Sequence, residues 1–317
     1  MFLRVMALNL LLPAFALAAA NPLDLPAPLQ GALETLRNGH YRQTLETSRS
    51  LQKTLPHHPL PALLAAEATW GLIFCQTGHI TSREIWNEAE NKTSSFDEEF
   101  FHAVEDAIAA GETMQQKPQT SALGAFYDGM AYGVRARLYT LRKEVLKSAK
   151  DGKQMRASLL EAVAQVPALQ TDADAGLGVY NYYADVLSPF IKLVRFLLFI
   201  PGGDRQKGLE QLQAASQRAV MLAPEAQHEL AKIYSVRENR PAQALRLFRA
   251  LADQYPENAL YTLSAAIQAE RVGEKGVAAD YARKALARAK LMDDVCRSRL
   301  EPASQQTLDR LQGAPER

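Results

Sequence analysis

The chain has 317 residues, with 36 Lys plus Arg against 35 Asp plus Glu, 47% hydrophobic residues and 22% charged ones. That apolar share supplies a sizeable core and argues against a disordered chain, while the length allows about two domains or one continuous repeat array. A net charge of +1 gives no global electrostatic reason to bind nucleic acid or an anionic membrane, and two cysteines, Cys75 and Cys296, exclude a disulfide-rich scaffold and a cysteine-only zinc site.

Residues 1–20 read MFLRVMALNLLLPAFALAAA. A single cation, Arg4, precedes an apolar run that ends in small residues, the pattern of a secretory signal peptide cleaved near Ala20. Pro13 interrupts the run, which is shorter than the roughly 20 residues a retained spanning helix needs. The mature chain is therefore expected to be periplasmic or secreted. Cys75 and Cys296 would then meet an oxidising environment, where they could pair. Their distance along the chain and the apolar stretch Trp70-Gly71-Leu72-Ile73-Phe74 beside Cys75 favour two buried thiols behaving as small hydrophobes.

Beyond residue 20 apolar positions recur at helical spacing. Ala244, Phe248, Leu251 and Tyr255 line one helix face, as do Leu260, Leu263 and Ile267. Pro59, Pro118, Pro167, Pro201, Pro224, Pro241 and Pro256 fall between such stretches, alternating β-branched runs are absent, and the one Asn-Gly pair, Asn38-Gly39, reads as a turn into a helix and not as a strand hairpin. The expectation is an all-α fold. Ala244, Phe248 and Leu251 align with Ala278, Ala282 and Ala285 at a spacing of 34 residues, the period of the tetratricopeptide repeat. Such helix pairs cannot bury both faces alone and must stack. The predicted architecture is an α-solenoid of tetratricopeptide-like hairpins with an irregular centre, divided as residues 21–120, 121–202 and 203–317. Its concave face would take a partner.

In the centre, Gly129 and Gly133 are four apart on a predicted helix and would let a neighbouring backbone come close. The stretch 172–185, DADAGLGVYNYYAD, offers Asp172 or Asp174 as a helix cap and sets Tyr180 and Tyr183 on one face, apart from Tyr182. Residues 186–200 hold eleven apolar residues in fifteen, broken by Ser188, Pro189, Lys192 and Arg195. That is too short to span a bilayer. It fits a core helix or, alternatively, an interfacial helix with Phe190 and Phe196 in the membrane and Lys192 and Arg195 at the headgroups. Gly202-Gly203-Asp204 ends one helix and caps the next, and Arg205 is placed to pair with a carboxylate.

GLGVYNYY, then LLFIPGGDRQKGL, then the closing 34-residue units resemble a group of bacterial secreted tetratricopeptide-repeat proteins. More distantly the chain is similar to the eukaryotic inclusion-body clearance family of outer-mitochondrial-membrane repeat proteins. The resemblance spans roughly residues 120–290 and is carried by Gly176, Gly178, Tyr180, Gly202, Asp204 and Arg205. It implies an α-solenoid with a scaffolding role and no catalytic residues.

No nucleophile elbow, Walker loop, His-Glu-x-x-His or dinucleotide fingerprint is present. Glu99–His102 and Glu225–His228 match Glu-x-x-His, the spacing used in di-iron bundles, but His228 falls where the array would pack on itself, and no metal or other cofactor is expected. His57-His58 sits in a loop between Pro56 and Pro59. Between Glu84 and Glu112 nine acids face one cation, Lys92, whereas from Arg271 to Arg299 the balance turns basic; both read as solvated faces that could steer partners. The expectation is a non-enzymatic scaffold that binds a protein or peptide partner, without nucleic acid or a small-molecule substrate, through Tyr180, Tyr183, Arg135 and Arg205. The alternative is a peripheral membrane protein using Phe190–Ile200.

Overall fold

A computed structural model describes residues 23–89, 93–186 and 199–313. The predicted signal peptide, and Phe190, Lys192, Arg195 and Phe196, lie outside the described residues. The fold is all-α. The first half holds α1 (Ala27–Arg37), α2 (Tyr41–Thr54), α3 (Pro59–Thr77), α4 (Asp97–Gln115), α5 (Ser121–Leu141), α6 (Val145–Gln165) and α7 (Gln170–Asp185). The second holds α8 (Arg205–Arg218), α9 (Ala223–Val236), α10 (Pro241–Gln254), α11 (Ala259–Arg271), α12 (Lys275–Ala289) and α13 (Asp294–Leu311). Pro59, Pro224 and Pro241 occupy first turns, where a missing N–H costs nothing. Pro118, Pro201 and Pro256 lie in connections.

One turn recurs. Gly39, Lys143, Asn239 and Gly273 each adopt positive φ two residues before α2, α6, α10 and α12, and Asn239 and Gly273 are one sequence period apart. The residues that follow, His40, Glu144, Arg240 and Glu274, all have ψ between 61° and 67°. The N–H groups of His40, Glu144 and Glu274 donate back to Thr35, Tyr139 and Ala269, satisfying carbonyls that the ending helix leaves open. The same local chemistry thus folds four helical hairpins along the chain.

Each helix packs on the next, across residues 120 and 202 as elsewhere, and alternate helices also touch. α3 meets α5, α5 meets α7, α7 meets α9, and α11 meets α13, which returns to α3. Gly129 lets α6 approach α5 as its spacing suggested: a Cβ there would lie 2.7 Å from the Leu159 side chain. α7 and α8 cross at Gly178 and Gly208, where a Cβ on Gly208 would sit 2.6 Å from the Tyr182 backbone nitrogen.

The expectation of two free thiols does not hold. Cys75, in the last turn of α3, and Cys296, in the first turn of α13, form a disulfide with a Cα separation of 4.8 Å. Their separation of 221 residues conceals a meeting of the two ends of the chain. Polar contacts surround the junction. Arg37 donates to Glu225 at 2.9 Å and to the Met221 carbonyl at 2.6 Å. Asn258 caps α11 and donates to the Arg37 carbonyl at 2.8 Å, and His40 lies 2.5 Å from Glu257.

A second departure is an antiparallel hairpin, Gly78–Ile80 with Ile85–Ala89, where helices alone were expected. It fills the seam beneath α13: Arg299 donates to the Gly78 carbonyl, Thr307 to that of Ser82, and Arg310 to both Ser82 oxygens, at 2.8–3.1 Å.

Candidate functional site

The four partner-binding candidates all hold protein partners. Arg135 makes a two-pronged pair with Asp151 of α6, at 2.6 and 3.0 Å. Arg205 pairs with Glu238, which also accepts from the Tyr182 hydroxyl at 2.6 Å. Tyr180 is buried and donates to the Pro201 carbonyl at 2.7 Å, and Asp204 caps α8. The Gly-Tyr segment and the Gly-Gly-Asp-Arg segment therefore join α7, α8 and the end of α9. Tyr183 is different: it lies edge-on to Tyr182 and donates to Glu229 of α9 at 2.9 Å.

Asp172 caps a helix, but not its own. From the first turn of α7 its buried carboxylate accepts the N–H groups of Val220, Met221 and Leu222 at 2.8–2.9 Å, holding the entry to α9.

Tyr183 points to a cluster that the sequence reading missed. It is built on the layer of alternate helices α3, α5, α7, α9 and α11. Glu67 and Trp70, one turn apart on α3, meet Arg137 of α5: Arg137 pairs with Glu67, and its guanidinium stacks 3.9 Å from the Trp70 ring centroid. Opposite them on α9 come His228, Glu229 and Lys232. Glu229 takes a hydrogen bond from Tyr183 on one oxygen and a 2.6 Å contact from Lys232 on the other. His228 packs 5.3 Å from the ring of Tyr261 on α11 and 6.1 Å from Phe248. Tyr183, His228, Glu229, Lys232 and Tyr261 remain half-buried and not sealed.

Electrostatics ties this wall together. Burial pushes the His228 imidazole down to about 3, and Lys232 and Arg137 add to the effect, so the ring is neutral. Burial works to raise Glu229, yet Lys232 and the Tyr183 hydroxyl hold it below its ordinary value. Burial and Asp293 raise Tyr41 to about 12, against the pull of Arg137. Arg137 thus acts on Glu67, Tyr41 and His228 together. Its Nε and the Trp70 indole N–H are buried with no hydrogen-bond partner among the described residues.

One further titratable group lies apart. Asp128 on α5 faces Gly111 of α4, accepts from Gln115 at 2.5 Å on one oxygen, and has no hydrogen-bond partner for the other among the described residues. Burial, with Glu112 and Glu161 nearby, pushes its carboxyl up to about 7 despite the Gln115 bond.

The Glu-x-x-His pairs are drawn apart by other contacts. Glu225 is taken by Arg37, and His102 lies 3.2 Å from Asp106. Among the described residues no three His, Cys, Asp or Glu side chains gather as a metal would require. His58 caps α3 and packs edge-on to Tyr127. No described helix is long and apolar enough to cross a membrane. The cluster thus combines half-buried rings with two ion pairs, Arg137–Glu67 and Lys232–Glu229. Comparison with models of known protein families finds no match, and comparison with curated proteins finds none.

Proposed function

We propose that the protein is a tetratricopeptide-type helical-repeat scaffold of an oxidising, extracytoplasmic compartment, and that it binds a protein or peptide partner along its inner helices without chemistry of its own. The observation that carries the reading is the wall formed by Trp70, Arg137, Tyr183, His228, Lys232 and Tyr261. Alternate helices there present aromatic and charged groups that stay partly exposed and are not sealed in the core. Repetition of one turn at the sequence period supports the repeat class. The Cys75–Cys296 disulfide supports the compartment independently of the leader, because such bonds persist outside the reducing cytosol.

The test replaces Tyr261, or the outward Lys284 of α12, with a photocrosslinking phenylalanine analogue in cells. A discrete crosslinked protein from position 261 and none from 284 is expected. Crosslinks from 284 alone, or none from either position in native envelopes, would overturn the reading.

A further inference from the structure

Large apolar side chains that stand exposed are few among the described residues, and four of the seven gather at one end of α5, α6 and α7. Val145 and Leu146 open α6, Val186 follows α7, and Phe199 stands 85% exposed. The packing fixes their proximity. α6 runs antiparallel to α7: Leu159 lies against Gly176, and Gly152, two turns earlier on α6, lies against the Tyr180 ring one turn later on α7. Continuing that register carries Val145 towards Val186. The Tyr180 hydroxyl holds the Pro201 carbonyl, and Gly203 lies against the last turn of α7, which brings residues 199–203 to the same end.

Charge at this end is one-sided. Residues 143–156 contain Lys143, Lys147, Lys150, Lys153 and Arg156 against Glu144 and Asp151. Asp151 is buried against Arg135, and Glu144 pairs with Lys147, which stays 63% exposed. Asp185 and Asp204 are engaged at the start of α8, where they accept the backbone N–H groups of Arg205 and Lys207. Exposed apolar side chains ringed by cations, on a chain that is otherwise nearly neutral, are the arrangement of a helix that lies on an anionic bilayer.

We propose that this end of the molecule docks on an anionic phospholipid surface, with Leu146 and Phe199 entering the headgroup–acyl boundary and Lys143, Lys147 and Lys150 among the phosphates. A second copy of the chain fits the surface less well, because a two-fold contact would set these cations against themselves. The proposal is independent of the inner wall, which lies on the alternate helices and involves none of these residues.

The test is co-sedimentation of the full chain with vesicles of phosphatidylcholine alone and with vesicles containing about a third phosphatidylglycerol. Two exposed pairs are changed: Leu146→Gln with Phe199→Asn, the asparagine chosen because it tolerates the left-handed φ of 51° at that position, and Lys147→Glu with Lys150→Glu. Circular dichroism melts confirm that each variant folds. The expected result is binding to the anionic vesicles only, weakened as salt rises, and reduced about tenfold or more by either pair. Arg283→Glu with Lys284→Glu on α12 should bind as the parent does. The proposal is overturned by absence of binding at low salt, by equal binding to phosphatidylcholine, or by binding that survives both pairs. A dimer lost with Leu146→Gln, without vesicle binding, would assign the surface to a second copy and overturn it too.

Discussion

Replacing both cysteines by alanine tests how the junction works. The bond closes a ring over a separation of 221 residues, and chain-entropy reasoning assigns such a closure roughly 5 kcal/mol at 25 °C, exerted on the unfolded chain. For a protein of this size that corresponds to a melting point lower by about 8 °C. The folded state should change little. Arg37–Glu225, Asn258 to the Arg37 carbonyl, Arg299 to Gly78 and Thr307 to Ser82 hold the same seam without the sulfurs. The double variant should therefore melt earlier, with the radius of gyration and helix content of the parent below its transition. Thermal melting by circular dichroism and small-angle scattering of the folded state measure the two quantities. An unchanged melting point would refute the entropic account. An expanded folded state would refute the claim that the seam holds without the bond.

Two further changes test the interior. Because burial raises the Asp128 carboxyl from 3.8 to about 7, folding favours its protonated form; its contribution is complete below about pH 4 and is lost as pH rises through about 7. Asp128→Asn should remove that slope and raise stability at pH 8 by roughly 2–4 kcal/mol, and urea titrations of the two proteins that run parallel from pH 4 to 8 would count against it. Asp172→Ala strips one acceptor from three N–H groups at the entry to α9 and should cost about 3 kcal/mol or more; a loss under 1 kcal/mol in the same assay would show that the entry is held by other contacts.

The helices were legible because their signals are local: apolar spacing, prolines in first turns, and glycine at two of the four recurring turns. Lys143 and Asn239 fill the other two, and nothing in the residue type of a lysine announces a positive φ. Tyr180 and Arg205 were singled out, but a sequence does not say whether a tyrosine reaches outward or towards Pro201, and the partners lie far along the chain, Asp151 on α6 and Glu238 in the turn after α9. The inner wall did leave a trace. Glu67 and Trp70 sit in the apolar run LLAAEATWGLIF, where a lone carboxylate needs a cation. Its partner, Arg137, stands seventy residues away, so only the packing of α3 on α5 reveals it. The same holds for Cys75 and Cys296, and the short hairpin carries too few residues to stand out from its helical neighbours.

Joining the first helices to the last also changes how the fold breathes. A linear stack of helical pairs frays from its termini, because an end pair has one neighbour where an interior pair has two. Here α13 is flanked by α3 as well as by α11 and α12, so the pair that would peel away first is held on both sides. Amide exchange should therefore be nearly level from α3 to α13, and opening should require the cooperative parting of a whole seam.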